Sequence, residues 1–241
     1  MKTKSLHIVI VMIMFLMQIP TAFSQDFSVG GKVGIDLSSF SHWSKFKSDD
    51  LKDASNIKHP PKIGLQIGAV GNYTFNEYLA LQVELLVQQK GESYKFQEQY
   101  LNDTYSNKKS QTVTYITIPI LARGNYSFGK FTISAVLGPY IGIGIAAKYK
   151  YDVYGESGTE KQKFGKTKND SSELKLHRFD IGLSFGIIPS YELGPGSIFL
   201  DLRYDLGFID AYNPNTKPED YLTACNRNFG ISVGYLVKLG K

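Results

Sequence analysis

Between Phe131 and Tyr151 the chain reads FTISAVLGPYIGIGIAAKYKY, a run apolar enough for a membrane helix whose side chains nevertheless sort with a period of two. Phe131, Ile133, Ala135, Leu137, Pro139, Ile141, Ile143, Ile145 and Ala147 form one set, all apolar. Thr132, Ser134, Val136, Gly138, Tyr140, Gly142, Gly144, Ala146 and Lys148 form the other, mostly small or polar. A helix does not separate odd from even positions, whereas successive strand side chains point to opposite faces, so the run is expected to be a strand. Gly142, Gly144 and Ala147 also carry the spacing of a nucleotide-binding loop. No helical pattern follows in KYKYDVYGESG to hold a phosphate at its N-terminus, and that reading is set aside.

The same sorting recurs. RFDIGLSFGI places Phe179, Ile181, Leu183, Phe185 and Ile187 opposite Arg178, Asp180, Gly182, Ser184 and Gly186. SIFLDLRYDLGF places Ile198, Leu200, Leu202, Tyr204, Leu206 and Phe208 opposite Asp201, Arg203, Asp205 and Gly207, and near the C-terminus Phe229, Ile231, Val233, Tyr235, Val237 and Leu239 oppose Asn228, Gly230, Ser232, Gly234 and Lys238. Further strands are expected at about 26–37, 62–75, 78–96 and 112–128. The connections FNEY (75–78), SFGK (127–130) and ELGPGS (192–197) are short, and 38–61, 97–111, 152–175 and 212–227 are long and polar. Short turns at one end and long loops at the other describe an up-and-down barrel.

The character of the two faces decides what surrounds that barrel. One face carries large aliphatic and aromatic residues on every strand; the other carries glycine, small hydroxyls and a few charges. A soluble barrel would turn long charged side chains to water, whereas a narrow membrane barrel crowds its polar face inside, where glycine fits. Each segment is long enough for a tilted span of about 9–11 residues. Tyr73, Phe75, Tyr78, Tyr126, Phe128 and Phe131 flank the short turns, and Tyr94, Phe96, Tyr149, Tyr151, Phe208 and Tyr212 lie near the long loops, as aromatic girdles require. The expected fold is therefore all-β: an eight-stranded antiparallel up-and-down transmembrane β-barrel with short periplasmic turns and long extracellular loops. Proline cannot donate to the ladder, so Pro119, Pro139 and Pro189 are each expected to mark a bulge or a strand end and to shift the register.

The N-terminus fits export. Lys2 and Lys4 precede an apolar run from Ile8 to Met17, too short to cross a bilayer, and Ala22 and Ser24 supply the small residues of a cleavage site, so residues 1–24 read as a signal peptide and 25–241 as the barrel. Removing Lys2 and Lys4 from the 27 Lys and Arg leaves an excess of three over the 22 acidic residues, scattered along the chain, so no nucleic-acid partner is expected. Cys225 is the one cysteine, so no internal disulfide holds the fold.

The segments VELLVQQKG (83–91), YITIPILARGNY (115–126), LGPYIGIGI (137–145), RFDIGLSFGI (178–187), LDLRYDLGFID (200–210) and NFGISVGY (228–235) resemble the recurrent segments of the PorT-type outer-membrane β-barrel proteins of Bacteroidetes. The ending LVKLGK departs from the terminal aromatic common among such barrels. The resemblance implies residence in the outer membrane and an association with protein secretion of the type IX kind.

Parity places Glu84, Arg123, Arg178, Asp180, Asp201, Arg203 and Asp205 on the lumen face. Charges there are costly unless paired, so a structural ladder of ion pairs that fills the barrel is expected; a proton or ion path is the alternative. His177 with Ser171 and Ser172 would be the elements of a lipid-modifying site at the outer rim, but no Ser-centred turn or acidic partner at a diagnostic spacing accompanies them. His42 and His59 fall in the 38–61 loop and Cys225 in the 212–227 loop, without metal-ligand spacing, so neither a metal nor a cofactor is expected. The expected role is non-enzymatic, structural or interactive. The expected partners are outer-membrane lipid and lipopolysaccharide and, through the long loops, which carry Trp43 and Phe164, or through the periplasmic turns, envelope or secretion-machinery proteins. The two other classes are the rim enzyme acting on lipids and a soluble periplasmic ligand carrier.

Overall fold

The computed structural model describes residues 27–41, 55–100, 103–162, 164, 176–212 and 223–239, where the regular structure is entirely β. The strands are β1 (Phe27–Phe40), β2 (Ser55–Lys58), β3 (Lys62–Thr74), β4 (Leu79–Tyr100), β5 (Asp103–Phe128), β6 (Phe131–Val153), β7 (Glu156–Lys161), β8 (Phe179–Leu193), β9 (Gly196–Asp210) and β10 (Cys225–Leu239). The eight long strands β1, β3, β4, β5, β6, β8, β9 and β10 pair antiparallel with their neighbours, and β1 closes the ring by pairing with both β3 and β10. Closure leaves no unpaired edge within the ring, which is the condition for a sheet to cross hydrocarbon. The expected signal peptide, and also His42, Trp43, Ser171 and Ser172, lie outside the described residues.

The sheet is apolar on its convex side. On β3, Leu65 is 63% exposed and Ile67 60%, while Gln66 between them is 4% exposed. Val33, Leu85, Ile120, Leu137, Ile187, Ile198 and Val233 extend this outward belt to the other strands. A soluble carrier requires the opposite arrangement, and the fold rules it out. Near the short turns Phe75, Tyr78, Tyr126 and Phe128 are exposed in a girdle, and Tyr73 packs edge-on against Phe75. At the other end Phe208 is exposed, but Phe96 and Tyr212 are buried and face inward, so they do not belong to a girdle. Ile67 sits midway along the outward run of β3. Ile67→Arg is expected to cost about 2–4 kcal/mol, read from urea titration of the protein folded in phosphatidylcholine vesicles; an unchanged midpoint would mean that residue 67 does not meet lipid.

Two expectations about register are corrected. Pairing skips two rungs beside each proline: between Val83↔Ile120 and Leu86↔Thr117 at Pro119, between Pro119↔Tyr140 and Ala122↔Leu137 at Pro139, and between Ile187↔Leu202 and Ser190↔Phe199 at Pro189. The register resumes unshifted each time, because each missing N–H faces one neighbour only and the other ladder holds the strand in place. The shift falls instead where Thr114 pairs with Ala146 and Tyr115 with Gly144, leaving Ile145 as an extra residue. This bulge inverts the parity beyond it: Ala147, expected on the outer face, is buried, and Lys148 is exposed.

The expected long loops hold more strand than their polarity suggested. Residues 97–100 and 103–111 are strand and not loop, since β4 and β5 stay paired from the barrel out to Tyr100↔Asp103. Segment 38–61 contains the end of β1 and all of β2, and 152–175 contains the end of β6 and all of β7. Because β2 pairs with β4 and β7 with β6, a five-stranded sheet in the order β2-β4-β5-β6-β7 continues past the apolar belt.

Candidate functional site

The inward positions of the ring converge on a buried ionic core. Lys32 of β1 lies 2.8 Å from Glu84 of β4 and 2.7 Å from Asp201 of β9, and Arg203 of β9 reaches the same two carboxylates at 2.9 and 2.6 Å. Two cations and two anions thus form a closed, neutral ring that ties non-adjacent strands across the lumen. Gln82 donates to Glu84, and Arg123 donates to Gln82 at 2.9 Å and to Asn125 and Ser134 at 3.0 Å, which joins β5 and β6 to the same network.

Nearer the long loops a second cluster centres on Lys90 of β4, which is completely buried. Its ammonium lies 3.5 Å from Asp180 of β8, 3.4 Å from Asp205 of β9 and 4.4 Å from the ring centre of Tyr140 on β6. The Tyr140 hydroxyl donates to Asp180 at 3.2 Å, and Ser184 donates to Asp205. Asn228 of β10 donates to Asp205 at 3.1 Å and to Asp36 of β1 at 2.9 Å, and Gln66 of β3 donates to Asp36 at 3.2 Å.

The residues expected in the lumen therefore divide. Glu84, Arg123, Asp180, Asp201, Arg203 and Asp205 are all buried there. Arg178 is not: it precedes β8, is exposed, and stacks on Phe164 at 5.5 Å, because the parity rule was extended past the end of the strand. Lys32, Asp36 and Lys90 belong to the network but were not singled out, although their even parity with Gly30, Gly34, Gln82 and Gln88 was the signal for them.

Apolar layers close the ions in on both sides. Val70, Leu121, Val136, Ile188, Phe199 and Leu236 point inward toward the short-turn end, so the inner face is not polar throughout. At the long-loop end Phe40, Val113, Tyr115, Ala147, Ala211, Tyr212 and Ala224 pack with Leu176, against which Phe164 also lies. The Tyr212 hydroxyl donates to Glu92 at 3.0 Å beneath this cap. The space left beside Lys32, Asp201, Arg203 and Asn228 is about 10 Å³, at the lower limit for one water molecule. Such an interior ties strands together across the lumen and, among the described residues, leaves little room for solute beside these ion pairs.

At the rim, Nδ1 of His177 is 3.0 Å from the carbonyl oxygen of Phe179 and 3.3 Å from its amide nitrogen. The ring is thus engaged with the backbone at the start of β8. Among the described residues no group of three or more His, Cys, Asp and Glu is placed to hold a metal ion. Cys225 is buried and pairs with Asp210 at a register shift in the β9–β10 ladder, and His59 is exposed beyond β2.

A closed antiparallel ring with lipid-facing aliphatic residues and a sealed ionic interior defines a transmembrane barrel of the outer-membrane type. The chain belongs to the outer membrane protein beta-barrel domain family, whose model matches residues 23–213. It is accordingly an outer-membrane protein, with the short turns periplasmic and the five-stranded extension extracellular. Similar solved structures include neisserial surface protein A, 14% identical over 88% of this chain and 97% of its own, with a TM-score of 0.38. OprG from Pseudomonas aeruginosa is 13% identical over 90% and 96%, with a TM-score of 0.45, and Ail of Yersinia pestis is 12% identical over 88% and 99%, with a TM-score of 0.36. No curated protein matches the chain.

Proposed function

We propose that this protein is a non-conducting, non-enzymatic barrel anchored in outer-membrane lipid, including lipopolysaccharide, which serves as a platform for another component of the cell envelope. The observation that carries this reading is the contrast between a filled lumen and a sheet prolonged beyond the membrane. A channel would need the interior, and an enzyme would need an acid, base and nucleophile arranged together. Nδ1 of His177 contacts the backbone of Phe179, which holds the ring at the start of β8 and favours a positional role. The extension, by contrast, is ordered surface with no task in crossing the bilayer, and sheets of this kind offer edges and faces to partners. The sharper form of the proposal makes the partner a subunit of a type IX-like secretion machine; it rests on the resemblance to the PorT-type barrels.

The test compares the intact protein with a variant that lacks residues 97–106, in which Phe96 is joined to its cross-strand partner Asn107 through an Asn-Gly turn. Both are to be recovered from detergent-solubilised outer membranes and checked for a heat-modifiable folded band. The intact protein is expected to co-purify with a defined envelope protein that the shortened variant loses, and secretion subunits among the captured proteins would support the sharper form. Recovery of the intact protein alone, or discrete current steps in planar bilayers, would overturn the reading.

A further inference from the structure

The outer wall of the extension holds a hollow of about 770 Å³ lined by Lys62, Lys95, Lys108 and Lys150, together with Asp152, Ile63 and several serine and threonine hydroxyls. The four lysines come from four strands, β3 to β6. Lys95 and Lys108 are direct cross-strand partners, and Lys108 is in turn opposite Asp152. Lys108 and Lys150 also lie close enough to Lys62 to repel its charge. Like charges directly opposite destabilise a sheet. Four ammonium groups here face one carboxylate, and among the described residues none of the four has a carboxylate within 4.0 Å. The charges of the lumen, by contrast, are tightly paired. A concave surface that gathers four lysines around one carboxylate among the described residues is an arrangement suited to an external anion.

The position of the hollow selects the kind of anion. Ile63, at its lower border, is 62% exposed and begins the lipid-facing stripe that continues through Leu65 and Ile67. The cations therefore stand where the apolar belt ends, on the extracellular side, at headgroup height. Lysine binds phosphate as a point charge and lets its aliphatic stem lie along apolar surface. A free anion would leave the adjacent stripe unused, and a polyanionic chain would need basic surface where the aliphatic stripe runs. From this juxtaposition we infer that the Lys62–Lys95–Lys108–Lys150 hollow binds the phosphorylated headgroup of an outer-leaflet glycolipid, with its acyl chains along Ile63, Leu65 and Ile67. The inference rests on the outer-membrane placement and not on the protein partner proposed above, so either can fail alone.

Native mass spectrometry of the full-length folded protein in detergent, titrated with diphosphorylated lipid A, tests it. Wild type is expected to retain the lipid, and Lys62→Gln/Lys108→Gln/Lys150→Gln to lose at least on the order of tenfold in apparent affinity. Lys130→Gln/Lys238→Gln at the periplasmic end is expected to behave as wild type, with a heat-modifiable band confirming each fold. A second arm needs no variant: dephosphorylated lipid A is expected to bind wild type at least on the order of tenfold more weakly, and inorganic phosphate at millimolar concentration not to displace the bound lipid. Equal retention by the triple variant, equal binding of the dephosphorylated lipid, or full displacement by inorganic phosphate would each overturn the inference.

Discussion

Lys90→Met is expected to lower the stability of the folded barrel by about 3–5 kcal/mol, the cost of leaving buried charges without their partner. Methionine preserves most of the aliphatic stem and the packing along β4, so the change isolates the ammonium. That ammonium is the cation set between Asp180 and Asp205 at 3.5 and 3.4 Å, with Asp36 linked to the same cluster through Asn228. The Lys32–Glu84–Asp201–Arg203 ring is neutral in itself, but the Lys90 cluster gathers three carboxylates around one lysine. It is also poor in donors: Oδ2 of Asp36, Oδ1 of Asp180 and Oδ1 of Asn228 accept no hydrogen bond from protein. Removing Lys90 leaves acceptors facing acceptors in an interior sealed by apolar layers. Urea titration in vesicles measures the loss, and a midpoint equal to that of wild type would refute the role given to Lys90. Adding Asp180→Asn and Asp205→Asn to Lys90→Met is expected to recover most of the loss. A neutral buried cluster need not be less stable than an ionic one; the broken ionic one is what costs.

Period-two sorting was enough to read the ring, its closure and the side that faces lipid, because inside the bilayer each strand has hydrocarbon on one face and packed lumen on the other. Where that contrast ends, legibility ends with it. Residues 97–100 and 103–111 continue β4 and β5 with mostly polar side chains on both faces, so no apolar alternation marks them, and their polarity reads as loop. The bulge at Ile145 was hidden for a related reason. Gly144, Ile145, Ala146 and Ala147 are small or apolar whichever way they point, so the sequence around the slip fits both registers. Arg178 was misplaced by carrying parity one residue past the start of β8. Lys32 and Lys90 were passed over although parity placed them inside, because a lysine on a strand suggests a solvated surface until its buried partners are seen. Those partners, Asp201 for Lys32 and Asp180 for Lys90, lie 169 and 90 residues away along the chain, and only the closed ring brings them together.

Gly182→Val is expected to prevent the barrel from reaching its folded, heat-modifiable form. Gly182 sits on β8 between Tyr140 of β6 and Gly207 of β9 in the ladder. A β-carbon added there would lie 2.2 Å from the carbonyl oxygen of Leu206 and 2.6 Å from the ring of Tyr140. The ring lies over the two glycines with Lys90 at its face, so the lack of a side chain on β8 is what lets Tyr140 reach Asp180 and Lys90 reach Tyr140. Overpacking alone costs about 1–3 kcal/mol or more, and displacing Tyr140 adds disruption of the Lys90 cluster. Two comparisons separate these causes. Gly124→Val, where an added β-carbon meets nothing within 4 Å, is expected to leave folding intact and shows that valine as such is tolerated in the barrel wall. Gly182→Val/Tyr140→Ala removes the ring but not the Leu206 carbonyl, so it is expected to restore a minor folded fraction. Full folding of the single variant, or complete rescue by the double one, would show that the ladder yields at this point more readily than its geometry allows.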